Sequence, residues 1–120
     1  MKFKAACLQL TSGSDVDENL KTILDYSQQA STEGADIIIT PENSSLFGLN
    51  KKELMINATS MQKDFYLQGI KKLAKQYRKW ILIGSAVIKE NDKIKNRSIL
   101  INDKGKIKSY YDKIHMYDAK

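Results

Sequence analysis

Cysteine, histidine and proline each occur once in this 120-residue chain, and arginine only twice against eighteen lysines. Each scarcity excludes something. A single cysteine closes no internal disulfide, and one cysteine with one histidine cannot assemble a zinc cluster. Cys7 lies in the middle of an apolar stretch, where the expected role is that of a small buried hydrophobe. The shortage of arginine weakens the reading that a net charge of +6 invites. Base and phosphate recognition favours clustered arginines beside aromatic platforms, whereas these lysines are scattered along helix faces and hairpin turns. Solvated surface charge is the better account, and no nucleic-acid partner is expected. No run of residues is long and apolar enough to span a membrane. Met1-Lys2-Phe3-Lys4 leads straight into a short alternating strand, without the apolar core of a secretory signal. The expectation is a cytoplasmic location without membrane association.

What is present is an α/β pattern of a length that suits one small domain, with enough apolar content for a core. Its centre is Ala35-Asp36-Ile37-Ile38-Ile39-Thr40-Pro41-Glu42-Asn43. Three consecutive β-branched isoleucines, entered from Gly34 at the end of a helical pattern, predict a short strand buried on both faces, as in a parallel sheet. Pro41 removes a ladder donor and fixes φ, so the strand ends there and Glu42 is delivered at its carboxyl end. Open α/β sheets bind their ligands at that end. Read alone, Glu42 is better taken as a solvated loop residue.

In chain order, residues 3–10 predict a first strand, broken by Thr11-Ser12-Gly13-Ser14. Asp15 and Glu18 have capping-box spacing, and Val16, Leu20, Ile23, Leu24 and Ala30 fall near one helical face, with Gly34 as the stop. After the isoleucine strand, residues 43–50 form a polar loop containing Phe47 and Gly48, and a short helix over Lys51 to Asn57 follows. Thr59 and Gln62 are placed to cap a longer helix carrying Ile70, Leu73, Ala74 and Tyr77. Trp80 to Ile88 is a nearly continuous apolar strand interrupted by Gly84-Ser85. Turns at residues 90–92 and 102–105 lead into strands at Ile94 to Ile101 and Lys106 to Tyr111. The predicted order is β-α-β-α-α-β-β-β, a parallel α/β start and an antiparallel finish with no linker between them.

The last strand closes on Tyr110-Tyr111-Asp112-Lys113-Ile114-His115-Met116, with a lysine and a histidine at the end of an apolar run. Taken with Thr40-Pro41-Glu42, this resembles the nitrilase superfamily of carbon–nitrogen hydrolases. The resemblance extends over nearly the whole chain. It includes the Ala-Ala-Cys-Leu-Gln-Leu strand, Asn19-Leu20 opening the first helix, the buried strand ending in Pro-Glu, the Ile-Gly-Ser strand, and Asn96-Arg97-Ser98.

The resemblance implies a catalytic glutamate at Glu42 and a catalytic lysine at Lys113, with no cofactor and no metal. It implies a cysteine nucleophile as well, but that cysteine has no match, because in the family it follows the lysine by a few dozen residues. Cys7 lies in none of its context. Hydrolysis of an amide or nitrile needs an activated nucleophile, a proton carrier and a donor to the developing negative charge. Glu42 would carry the proton and Lys113 would be the donor, so the two should converge at one end of the sheet. His115 is expected to be a structural hydrogen-bonding residue nearby.

The implied fold is the N-terminal half of a four-layer α-β-β-α sandwich, with residues 1–120 an incomplete carbon–nitrogen hydrolase domain. Three functional readings stand. The chain can be the N-terminal part of a hydrolase acting on carbon–nitrogen bonds other than peptide bonds, with a small amide or nitrile as substrate of the complete enzyme and no activity of its own. It can be an interaction module that pairs with a complementary C-terminal half or a paralogue, or forms a homo-oligomer. It can be an unrelated small α/β binding module. Half a sandwich should also leave apolar side chains of the strands facing solvent.

Overall fold

The computed structural model describes residues 2–113. Eight elements follow one another: β1 (Ala5–Cys7), α1 (Val16–Thr32), β2 (Ile37–Ile39), α2 (Lys51–Asn57), α3 (Phe65–Tyr77), β3 (Trp80–Glu90), β4 (Lys93–Ile101) and β5 (Ile107–Asp112). This is the predicted order. The strands make one five-stranded sheet, arranged β1-β2-β3-β4-β5. β1, β2 and β3 are parallel because helices return the chain between them, and β4 and β5 are antiparallel because short turns reverse it. The turn between β3 and β4 is two residues long, Asn91 and Asp92, both at positive φ, as a tight hairpin requires.

One face of the sheet carries the core. Leu20, Ile23 and Ala30 of α1 and Leu67, Ile70 and Leu73 of α3 meet Ile38, Ile81, Ile83, Ile99 and Ile101 in a single cluster. Each isoleucine fully buried there contributes roughly 1.5–3 kcal/mol. The alternate positions point the other way. Ile37 and Ile39 are half-buried, and so are Leu82 and Leu100. Trp80 keeps 37% of its surface exposed and Phe3 keeps 73%. The isoleucine strand is thus an apolar run covered on one face and only partly on the other, which corrects the expectation of burial on both faces. The predicted exposure of apolar strand residues is accordingly partial.

Several local expectations change. The first strand is three residues rather than eight, because it pairs only with β2, itself three residues long and stopped before Pro41. Cys7 is exposed, against the expectation of a buried hydrophobe. β1 is an edge strand, and its helix-facing residue is Ala6, which packs against the core. Asp15 caps α1 as expected, accepting from the Asp17 and Glu18 N–H groups. Leu24 is exposed and Ser27 is buried in its stead. The cap of α3 is Asp64, not Thr59. The Asp64 carboxylate accepts from Leu67 N–H at 2.8 Å, and the Thr59 hydroxyl donates to Asp64 at 2.9 Å. The short α2 is closed by a reciprocal capping box between Asn50 and Glu53. Among the described residues no helix is long and apolar enough to cross a membrane.

The interruption at Gly84-Ser85 is a bulge, where the β3–β4 register shifts between Ile83 and Ala86. The turn after β2 presses on it. A Cβ at Gly84 would lie 2.6 Å from the carbonyl carbon of Pro41 and 2.7 Å from its oxygen. Those neighbours are backbone and cannot swing aside. Gly84→Ala is therefore expected to cost about 1–3 kcal/mol, the usual penalty of overpacking. A shift of the urea unfolding midpoint measures it, and an unchanged midpoint would contradict the close approach.

Candidate active site

The site begins with the turn that Pro41 imposes. Thr40 is buried; its N–H donates to Leu82 O at 3.0 Å, while its carbonyl and hydroxyl oxygens both accept from Gly84 N–H at 3.1 Å. Beyond Thr40, Ser85 grips the chain on both sides of Glu42. Its N–H donates to Pro41 O at 3.4 Å, and its hydroxyl accepts from Asn43 N–H at 2.7 Å. Ser44 N–H and Ser44 Oγ both donate to Ser85 O at 3.0 Å. Asn43 adopts a positive φ of 53°, which turns the chain back onto β3.

A buried hydroxyl network supports the turn from below. Tyr66, in the first turn of α3, donates to Ser44 Oγ at 2.6 Å, and Thr40 Oγ1 lies 3.2 Å from the same atom. Burial pushes the Tyr66 phenol above its ordinary range, so it remains a neutral donor. One residue on, Ser45 Oγ accepts from Val87 N–H at 2.9 Å, and Ser45 O accepts from Asn19 Nδ2 at 2.8 Å. Asn19, one of the residues that carried the family resemblance, therefore ties α1 to the turn.

Lys113 arrives from the other end of the chain. It follows directly on β5, where its N–H donates to Asn96 O at 3.0 Å. Its ammonium reaches Glu42 Oε1 at 2.5 Å across a separation of 71 residues. The structure thus brings together the two residues singled out by the motifs. Their side chains keep 44% and 61% of their surface exposed. An ion pair so solvated contributes on the order of 0–1 kcal/mol and is screened by salt. It does not hold the fold together; the fold holds it.

A cleft of about 270 Å³ opens beside Glu42, lined by Leu10, Thr11, Ser12, Pro41, Asn43 and Phe47. A larger groove of about 390 Å³ runs between β1 and α1 past Cys7, but Glu42 does not line it; the smaller cleft is favoured because Glu42 lines it, although Lys113 lines neither. Cys7 does not line that cleft. His115 lies outside the described residues. Among those described, no group of three or more His, Cys, Asp or Glu side chains gathers to hold a metal ion.

Sequence reasoning missed the supporting residues. Ser85 was legible in part, because a Gly-Ser pair inside an apolar strand signals a bulge. Tyr66 gave no signal beyond helical spacing. The partners of Arg97 were equally hidden: its guanidinium, 1% exposed, meets Asp112 through two hydrogen bonds and Glu90 through a third.

A sheet with helices on one face and a Glu–Lys pair at a strand end beside a small cleft defines a candidate hydrolase site on an α/β scaffold. The family model described as carbon-nitrogen hydrolase matches residues 4–120, and the chain belongs to that family. It is 34% identical over 117 residues to the deaminated glutathione amidase of Yersinia enterocolitica, covering 95% of this chain and 40% of that protein. It is 27% identical over 111 residues to the nitrilase and fragile histidine triad fusion protein NitFhit of Drosophila melanogaster, covering 92% and 24%. The chain therefore spans less than half the length of these curated relatives.

Among solved structures, NitFhit of Caenorhabditis elegans superposes with a TM-score of 0.86 at 24% identity, over all of this chain and 30% of that one. An amidase from Nesterenkonia sp., of the nitrilase superfamily, gives 0.81 at 22% identity, over 96% and 44%. The fold is that of the nitrilase superfamily, and this chain corresponds to the N-terminal portion of it. Mutants of the Nesterenkonia amidase have been solved in complex with acrylamide and with butyramide.

Acid dependence follows from the ion pair behind Lys113. Hydrogen bonds from Arg97 hold the Asp112 carboxyl below its ordinary value of 3.8. A depressed folded-state pKa contributes stability that is present above the unfolded value and lost as pH falls through the folded one. Asp64 acts in the opposite sense, since burial raises its carboxyl. Comparison with Asp112→Asn isolates the Asp112 contribution. The stability gap between the parent chain and this variant, read from urea midpoints, is expected to be full near neutrality and to close below pH 3.8. A gap independent of pH would contradict the assignment.

Proposed function

We propose that these 120 residues supply the glutamate and lysine of a carbon–nitrogen hydrolase site, and that a cysteine nucleophile from outside this sequence completes it. The observation that carries the reading is the contact between Glu42 and Lys113 at 2.5 Å, made by residues 71 apart on two separately anchored segments. In this reading Glu42 takes the thiol proton as the sulfur attacks the amide carbonyl carbon. Lys113 donates to the oxygen on which negative charge develops, and Glu42 returns the proton to the departing nitrogen, leaving a thioester. Water then hydrolyses the thioester. An amide is the substrate class supported by the relatives' names.

Residues 1–120 then form part of a domain whose remainder covers the half-exposed face of the sheet. The apolar residues Ile37, Ile39, Leu82 and Leu100 on that face favour pairing with a complementary half.

The test is complementation with the C-terminal remainder of the Yersinia enterocolitica amidase. Alone, the chain should associate with itself and release no ammonia from small amides; with the complementary half it should gain hydrolysis. Glu42→Gln or Lys113→Met should then reduce kcat by about a hundredfold or more, the usual weight of a positioned proton carrier or charge donor. Hydrolysis that survives both substitutions, or an acyl adduct found on Cys7, would refute the reading.

A further inference from the structure

Arg97 is one of only two arginines in the chain, it is fully buried, and neither proton transfer nor substrate contact uses it. Its Nε and Nη2 donate to the two carboxylate oxygens of Asp112 at 2.5 and 2.9 Å. Nη2 also reaches Glu90 Oε2 at 3.2 Å, Nη1 points at Met61 Sδ, and the guanidinium lies 4.3 Å from the centroid of the Tyr110 ring. Burying a guanidinium against half-exposed carboxylates is a poor device for stability, because the lost hydration offsets much of the attraction. Its distinguishing property is geometry. A bidentate guanidinium–carboxylate fork fixes both the position and the plane of the carboxylate, which an ammonium cannot do.

The residue so fixed is the immediate neighbour of Lys113. Asp112 ends β5 opposite Arg97, and the next N–H, that of Lys113, closes on the carbonyl of Asn96, beside Arg97 on β4. We propose that Arg97 is a positioning residue for Lys113: through the two-bond fork to Asp112 it sets the backbone from which the lysine reaches Glu42. The inference rests on the reading that Lys113 serves the site, and it adds a third residue, remote from the substrate, that determines where the charge donor stands. Glu90, at the far end of β3, accepts from Nη2, the same nitrogen that completes the fork to Asp112.

Zero-length carbodiimide coupling of the purified chain reads this directly, because it joins a carboxylate to an amine only when the two are in contact. Digestion and mass spectrometry should reveal a Glu42–Lys113 isopeptide link in the parent chain and none in Glu42→Gln. In Arg97→Met the link is expected to fall to the level of that control while far-UV circular dichroism remains that of the parent. Arg97→Lys, which keeps the charge but not the fork, should restore it only in part. Should Arg97→Met fail to fold, Asp112→Asn breaks the same fork from the other side and carries the same expectation. Parent-level linking in a folded Arg97→Met or Asp112→Asn would overturn the proposal. No hydrolysis enters the measurement, so failure of the functional reading and failure of the positioning role are told apart.

Discussion

At Gly84 there is no side chain because there is no room for one: the backbone of Thr40 and Pro41 occupies the space a Cβ would need. The candidate site depends on this close approach. It lets Gly84 N–H reach Thr40, and it lets Ser85 bond to the residues before and after Glu42. A turn forced by proline would otherwise be free to choose its direction. Bolted to a bulge in the longest strand of the sheet, it has one direction, and Glu42 inherits it. Beneath the turn, the Tyr66–Ser44 hydrogen bond is buried and satisfied, so disturbing it would strand polar groups away from water.

The lysine side is built on different physics. There the anchor is electrostatic, a buried guanidinium that donates four hydrogen bonds, two to Asp112 and one each to Glu90 and Met61. The two anchors share a framework: Ser98 Oγ, one residue from Arg97, donates to Gly84 O at 2.6 Å across the β3–β4 ladder. Neither anchor needs the Glu42–Lys113 pair for its own stability. The weak, solvated contact between Glu42 and Lys113 is thus held in place by better-buried contacts on either side.

How much of this was legible in the sequence varies with the range of the forces involved. Element order, the Asp15 cap and the end of the isoleucine strand at Pro41 follow from local backbone chemistry, which one sequence displays fully. The Thr59 cap was misplaced because a better acceptor, Asp64, stands five residues on and takes the Thr59 hydroxyl for itself. Cys7 was misjudged because alternation tells which residues share a face but not that β1 lies at the sheet edge. Glu42 and Lys113 were found through motif resemblance, not through any local signal that two charged residues far apart would meet. Ser85, Tyr66 and Arg97 act through tertiary contacts to residues distant in sequence, and nothing local distinguishes them from an ordinary bulge serine, core tyrosine and strand arginine.

The central claim is that Glu42 and Lys113 operate as one unit. A double-mutant cycle on kcat/KM tests it most directly, with Glu42→Gln, Lys113→Met and the double variant each measured in the chain complemented by a C-terminal half. Groups that act together lose nearly everything when either is removed, so the double variant should be little slower than the slower single variant. Losses that simply multiply would contradict the account, since two independent residues could then be doing the work attributed to a pair.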